Sequence, residues 1–222
     1  MYKSVKVKIH KEAPEGTYFY VLVPRESLTD EVKKLSNDGI IKGELRLDDS
    51  RHISAEQRKK AYATIADIAD YLGYPASELK DILKCRYIAA TGDDYLSLSD
   101  CSVTTARHFI NYILDFALEW RVPLDDYLIN RTDDINSAIY ASIKHRRCII
   151  CGADGEVYHA EDRIGMGRNR HDIVHIGMRV MCLCRKHHDE CHTIGQSTFN
   201  EKWKVHGIKA DKIICEIWRL KI

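Results

Sequence analysis

The chain has 222 residues, 45% of them apolar and 30% charged, with eight cysteines and a formal net charge of +1. That is enough apolar side chain to bury a core, and the apolar runs are too short to cross a bilayer. A nearly neutral molecule has no whole-body field to draw it onto nucleic acid, so any such contact must come from local patches.

Met1-Tyr2-Lys3-Ser4 opens a polar alternation rather than a signal peptide, which predicts a cytoplasmic protein with no membrane partner. Residues 4–10 alternate Val and Ile with Ser, Lys and His, the pattern of a half-buried strand. Ala13-Pro14-Glu15-Gly16 reads as a turn, and Thr17 to Val23 as a second strand. Ser27-Leu28-Thr29-Asp30-Glu31 resembles a capped helix start that stops near Gly39, and Ile40 to Leu47 reads as a third strand. The opening is thus a strand-helix-strand unit.

A helical region follows. Ser54 caps a long helix through Leu72, with Gly73 as the stop and Ala61, Ile65, Ile68 and Ala69 as its apolar stripe. Arg58, Lys59 and Lys60 crowd its first turns. Tyr62 and Tyr71 have the spacing of core residues, with stacking on unpaired bases as the alternative. Pro75 and Ser77 begin a shorter helix reaching about Cys85. Asp100 or Ser102 caps the next, whose buried face is Phe109, Ile110, Ile113, Leu114 and Leu118, and Pro123 breaks it. Asp133 to Arg147 is a further helix.

From Cys148 onward Cys and His become frequent, so a domain boundary is expected at residue 147, giving units 1–147 and 148–222. Glu156 to His159 and Arg179 to Leu183 read as strands, Arg185 to Ile194 as a helix, and Phe199 to Val205 as a short helix packed on it. The fold class is α+β. Cys85, Cys101 and Cys215 stand singly and read as small buried hydrophobes.

Two knuckles carry the chemistry. Cys148-x2-Cys151 and Cys184-x2-His187 supply the four N or S donors of a structural zinc; Cys182 and Cys191 lie close by as less favoured ligands. His188 and His192, one turn apart on a helix, can grip a second ion from one face, with His159 at the strand end as third ligand. A closed metal site beside an open one is the chemistry of a small metal-dependent nuclease. His175, Glu161 and Asp162 are candidates for the base that activates water. Arg58, Lys59, Arg146, Arg147, Arg168 and Arg170 are the candidate phosphate contacts.

The C-terminal 75 residues resemble the HNH (ββα-metal) endonucleases of the zinc-knuckle type found in phages. Cys148-x2-Cys151, His159, Gly165-Met166-Gly167-Arg168-Asn169-Arg170 and Leu183-Cys184-Arg185-Lys186-His187-His188-x3-His192 carry the likeness. It implies structural Zn2+ at Cys148, Cys151, Cys184 and His187. It also implies a second divalent ion (Mg2+, Mn2+, Ni2+ or Zn2+) at His159, His188 and His192. In that family the first strand ends in Asp-His or His-His, one residue binding metal and the other acting as base; here Ala160 follows His159. Asn169 and His175 compete for the residue that orients the site.

Residues 1 to about 130 resemble the phage Orf (NinB) recombination proteins, through Arg51-His52-Ile53-Ser54-Ala55-Glu56-Gln57-Arg58-Lys59 and Leu96-Ser97-Leu98-Ser99-Asp100-Cys101-Ser102. That resemblance implies a homodimer in the host cytoplasm that binds single-stranded or branched DNA and cooperates with single-strand-binding protein. The expectation is a recombination protein with an HNH endonuclease tail. The alternative is a non-catalytic mediator whose tail only grips DNA.

Overall fold

A computed structural model of the chain describes residues 6–22, 51–93, 96–160 and 173–222. It opens on an antiparallel hairpin, β1 (Lys6–Ala13) and β2 (Gly16–Leu22), joined at Pro14-Glu15 as the turn signal requires. The expected half-burial is not observed: every residue of β2 is exposed, as is Ile9. Alternation identifies a strand's two faces but not whether another layer covers either one. The helix expected over residues 27–39 and the strand over residues 40–47 lie outside the described residues.

Helix α1 spans Ala55–Leu72. The Ser54 side chain accepts from the Gln57 backbone N–H at 3.0 Å, and the Gln57 side chain accepts from the Ser54 N–H at 3.1 Å, a reciprocal capping box. Gly73, at φ 74°, ends the helix in the left-handed conformation that only glycine adopts without strain. Helix α2 (Ala76–Thr91) runs one and a half turns past Cys85, because no breaker intervenes before Gly92. Helix α3 (Val103–Glu119) is capped by Ser102 rather than Asp100, through the Thr105 N–H. Its residues Phe109, Ile110, Ile113 and Leu114 are buried and meet Ile65 and Ile68 of α1 in the core. Tyr62 and Tyr71 are not core residues; both are about half exposed on the far side of α1. Cys85 is likewise exposed, whereas Cys215 is buried.

After a one-turn α4 (Leu128–Arg131), Asp134 caps α5 (Ile135–Lys144) through the Ser137 N–H. The remainder is β3 (Glu156–His159), β4 (Arg179–Leu183), α6 (Arg185–Ile194), α7 (Gln196–Trp203), β5 (Ile208–Lys209) and α8 (Lys212–Trp218). The bounds of β3, β4 and α6 are those the sequence predicts. The sheet is antiparallel in the order β3-β4-β5, with β4 central and buried almost throughout.

Helix α5 packs on β4, β5 and α8. Ile139 and Ile143 thus share one buried cluster with Ile149, Ile150 and Val180 across residue 147. The Trp218 indole donates to the Ile143 carbonyl at 2.8 Å, and the Leu128 N–H donates to the Ile150 carbonyl at 2.8 Å. No helix among the described residues is long and apolar enough to cross a membrane.

Candidate metal centre

The two knuckles meet where the chain leaves α5 and where β4 turns into α6. Cys148 and Cys151 bracket a tight turn in which the Gly152 N–H donates back to the Cys148 carbonyl at 2.8 Å, with Gly152 at φ 69°. Cys184 is the N-cap of α6, and His187 sits in that helix's first turn, so two ligands come from one rigid corner. Gly155 allows the chain to pass close by: a Cβ there would lie 2.6 Å from Cys182 Sγ and 3.2 Å from the Cys148 nitrogen.

One donor atom from each of Cys148, Cys151, Cys184 and His187 lies within 4.8 Å of the others. Cys148 Sγ and Cys184 Sγ are 3.4 and 3.2 Å from His187 Nδ1, and Cys151 Sγ is 3.7 Å from Cys184 Sγ. A tetrahedral zinc, at about 2.3 Å from sulfur and about 2.0 Å from nitrogen, separates its ligand atoms by roughly 3.5–3.8 Å. The donor set therefore fits a metal ion and is consistent with zinc.

The two thiols of the first knuckle are biased in opposite directions. A hydrogen bond from Cys148 is the main cause that lowers the Cys151 thiol to about 5, with Cys184 and the His187 charge helping. Cys148 moves the opposite way, raised by that same bond and then by burial. Cys182 and Cys191 are not in the ligand set. Burial raises both thiols, and Cys191 Sγ faces the Gln196 side-chain oxygen at 3.7 Å.

The second cluster departs from expectation. His188 and His192 do come together, with Nε2 atoms 3.2 Å apart and ring centroids 4.8 Å apart. Burial first, and then the neighbouring His192, lower the His188 pKa and favour the neutral ring that a metal requires. The strand residue facing this pair is Tyr158, whose ring lies edge-on at 5.1 Å from His188 and 5.6 Å from His192. Side chains alternate along β3, so His159 is turned to the other face. There its ring is 5.2 Å from that of His175, which is itself buried and donates its backbone N–H to the Lys221 carbonyl. Among the described residues the Cys/His quartet is the one group of three or more potential ligands, so the three imidazoles do not form a set.

Tyr158 was missed because periodicity names the two faces of a four-residue strand without saying which one α6 covers. Ala160 is fully buried, and its N–H donates to the Arg179 carbonyl at 2.9 Å, so it belongs to the sheet edge. Glu161, Asp162, Asn169, Arg168 and Arg170 lie outside the described residues.

The other basic candidates divide by how each is held. Arg147 is buried and donates to Asp154 at 2.7 Å, which makes it a structural partner rather than a phosphate contact. Arg146 donates to the Ile217 carbonyl and lies over the Trp218 ring at 4.7 Å. Arg58 donates to the Leu98 and Ser99 carbonyls at 3.0 and 3.2 Å. Lys59 is exposed. A basic run next to a knuckle does not reveal that its arginines are used to fasten the knuckle.

Two of the comparisons with known proteins are empty: no curated protein and no solved structure matches the chain. A family model described as "Putative HNHc nuclease" matches residues 26–221. That stretch takes in the helical core as well as the Cys/His tail, and the chain belongs to this HNHc nuclease family.

Proposed function

We propose that the chain is a metal-dependent DNA endonuclease in which His188 and His192 anchor a divalent ion at the face of α6. The observation that supports this most directly is the convergence of their Nε2 atoms at 3.2 Å, on rings one of which is biased toward the neutral form. Two imidazoles that close have no favourable contact with each other when both are protonated, and a good one with a shared cation.

The strand-end pair is then Tyr158-His159, with Ala160 outside it. Tyr158 takes the place beside the ion, while His159 and His175 face each other on the opposite side of β3. An ion at the imidazole pair supplies Lewis-acid stabilisation of phosphate charge. A base beside the ion accepts the proton of the attacking water as its oxygen bonds to phosphorus and the bond to the leaving sugar oxygen breaks, and Glu161 and Asp162 are the candidates for it. Asn169 remains a candidate for orienting the site.

Within this reading residues 148–222 carry the nuclease. Residues 1–147 bind single-stranded or branched DNA and pair with a second copy, alongside single-strand-binding protein, as in the Orf (NinB) proteins that stretch resembles. The setting is phage recombination in the host cytoplasm.

A second reading is favoured by Tyr158 itself. A phenol is a poorer ligand than the imidazole or carboxylate usual at a strand end, so the tail can instead serve as a zinc-held clamp that does not cut. Divalent-ion-dependent cleavage of single-stranded, duplex and branched DNA separates the two. The endonuclease reading requires cutting by the parent chain, and loss of cutting in His188→Ala with zinc content unchanged. Cutting that survives His188→Ala overturns the site assignment, and no cutting by the parent leaves the clamp.

A further inference from the structure

The β1–β2 hairpin presents a surface that the metal centre does not use. Its register pairs Lys8 with Tyr20 and Lys11 with Tyr18, so these four share one face, while Ile9 with Phe19 and Val7 with Val21 form the other. Tyr18 is 46% exposed and Tyr20 62%. The irregularity between Ile9 and Lys11 leaves His10 without a cross-strand partner, and its ring lies 4.3 Å from that of Tyr20. Lys11 Nζ stands 5.8 Å above the Tyr18 ring. Tyr18 donates its hydroxyl to the Glu15 carboxylate at 2.8 Å, which fixes the ring by its edge and leaves its plane accessible. Glu12 pairs with Thr17 on the opposite face.

We infer that this face is a docking platform for single-stranded DNA, a substrate class that rests on the nuclease reading above. Aromatic planes stack bases irrespective of sequence, and flanking lysines neutralise phosphates. Tyr18 and Tyr20 are alternate residues of one strand and so stand about 6.7 Å apart. That is about twice the 3.4 Å rise of a stacked nucleotide strand. A base can settle on each ring only if the strand is free to unstack, which excludes duplex. The positive groups on the face are Lys8 and Lys11, and the Glu15 carboxylate is engaged with the Tyr18 hydroxyl.

The test uses the full chain carrying His188→Ala with no divalent ion added, so that binding is read without cutting whichever residues hold the ion. Fluorescence anisotropy with a labelled oligothymidylate, and with a duplex and an oligouridylate of equal length, gives the affinities. Tyr18→Ala with Tyr20→Ala weakens oligothymidylate binding about tenfold or more, with a much smaller change for the duplex. Lys8→Ala with Lys11→Ala lowers the slope of affinity against salt by about two phosphate contacts.

Phe19→Ser, on the other face, leaves the affinity within about twofold, and circular dichroism verifies that each variant is folded. The proposal is overturned if the parent does not bind the oligothymidylate, or if the tyrosine variant binds as the parent does. It is also overturned if oligouridylate binds tenfold tighter, or if the tyrosine variant instead dissociates a dimer in sedimentation with DNA affinity intact. None of these outcomes bears on the imidazole pair as the cutting site, which fails only in the cleavage assay.

Discussion

The Nε2 atoms of His188 and His192 lie 3.2 Å apart beside the edge of the Tyr158 ring, on the helix whose first turn carries His187 of the Cys/His quartet. A single ten-residue helix therefore carries both the quartet's histidine and the imidazole pair. Its first turn is pinned by Cys184 and His187, and that anchoring fixes where the imidazole pair points.

This arrangement predicts different consequences for the two residues at the end of β3. His159→Ala should leave both divalent-ion affinity and the cleavage rate close to those of the parent, because its ring faces His175 and not the imidazole pair. Tyr158→His should instead raise ion affinity by adding a third imidazole to the pair. Calorimetric titration of Mn2+ or Ni2+ into the zinc-loaded chain, alongside single-turnover cleavage, reads both. Equal loss of ion affinity in His159→Ala would return His159 to the ligand set.

Removing a knuckle ligand acts on stability. Cys148→Ser should abolish stoichiometric metal in the purified chain, because the fully buried Cys148 site offers no room for a substitute ligand. The tail around β4 and α6 should then open to protease, since metal binding to such a site is folding free energy. Gly155→Ala should act through the same corner, costing about 1–3 kcal/mol as the new methyl meets the Cys182 sulfur and backbone atoms that cannot retreat. Metal content and a melting curve test both; a metal-free Cys148→Ser chain with an unchanged melt would show that the quartet is dispensable.

In the helical part, Arg131 and Asp67 form an ion pair at 2.9 Å, with side chains only 9% and 7% exposed. Burial, outweighing the Arg131 charge, raises the Asp67 pKa, so the pair is held by its geometry at a desolvation cost. Arg131→Met should destabilise the fold by about 3–5 kcal/mol by leaving a carboxylate alone in the interior. Adding Asp67→Leu should recover most of that loss. Denaturant unfolding of the two single variants and the double gives the coupling directly, and additive losses would rule out a shared origin.

Asp115 gives the fold an acid-sensitive contact. Burial works to raise its pKa, but hydrogen bonds from His145 at 2.9 Å and Lys144 at 3.1 Å together outweigh it and hold the carboxylate below its ordinary value of 3.8. A folded pKa below the unfolded one contributes stability that is present above pH 3.8 and is lost as pH falls through the lower folded value. Asp115→Asn should therefore lower the melting temperature near neutral pH, by a difference that shrinks as the pH falls below 3.8. A constant difference from neutral to acid pH would assign the effect to packing.

The legible parts of this chain are those whose signals are local. Ser54, Gly73 and, as one of two candidates with Asp100, Ser102 mark helix ends because a cap is satisfied within three residues of itself, whereas the helix read over Asp133 to Arg147 is shorter at both ends; β3, β4 and α6 follow from short runs of period two and a knuckle that caps a helix. The four ligands of the closed metal site are likewise readable, since two knuckles with fixed spacing can converge in few ways.

Tertiary structure alone decided which face of β3 lies against α6, and with it that Tyr158 rather than His159 meets the imidazole pair. It also decided that Arg147 is buried against Asp154 and that the hairpin's aromatic residues stay in solvent. The physical reason is common to all three: alternation and charge run along the chain, whereas burial depends on what arrives from elsewhere in it. A strand of four residues has the same pattern whichever side is covered, and only the packing of the helix over the sheet chooses.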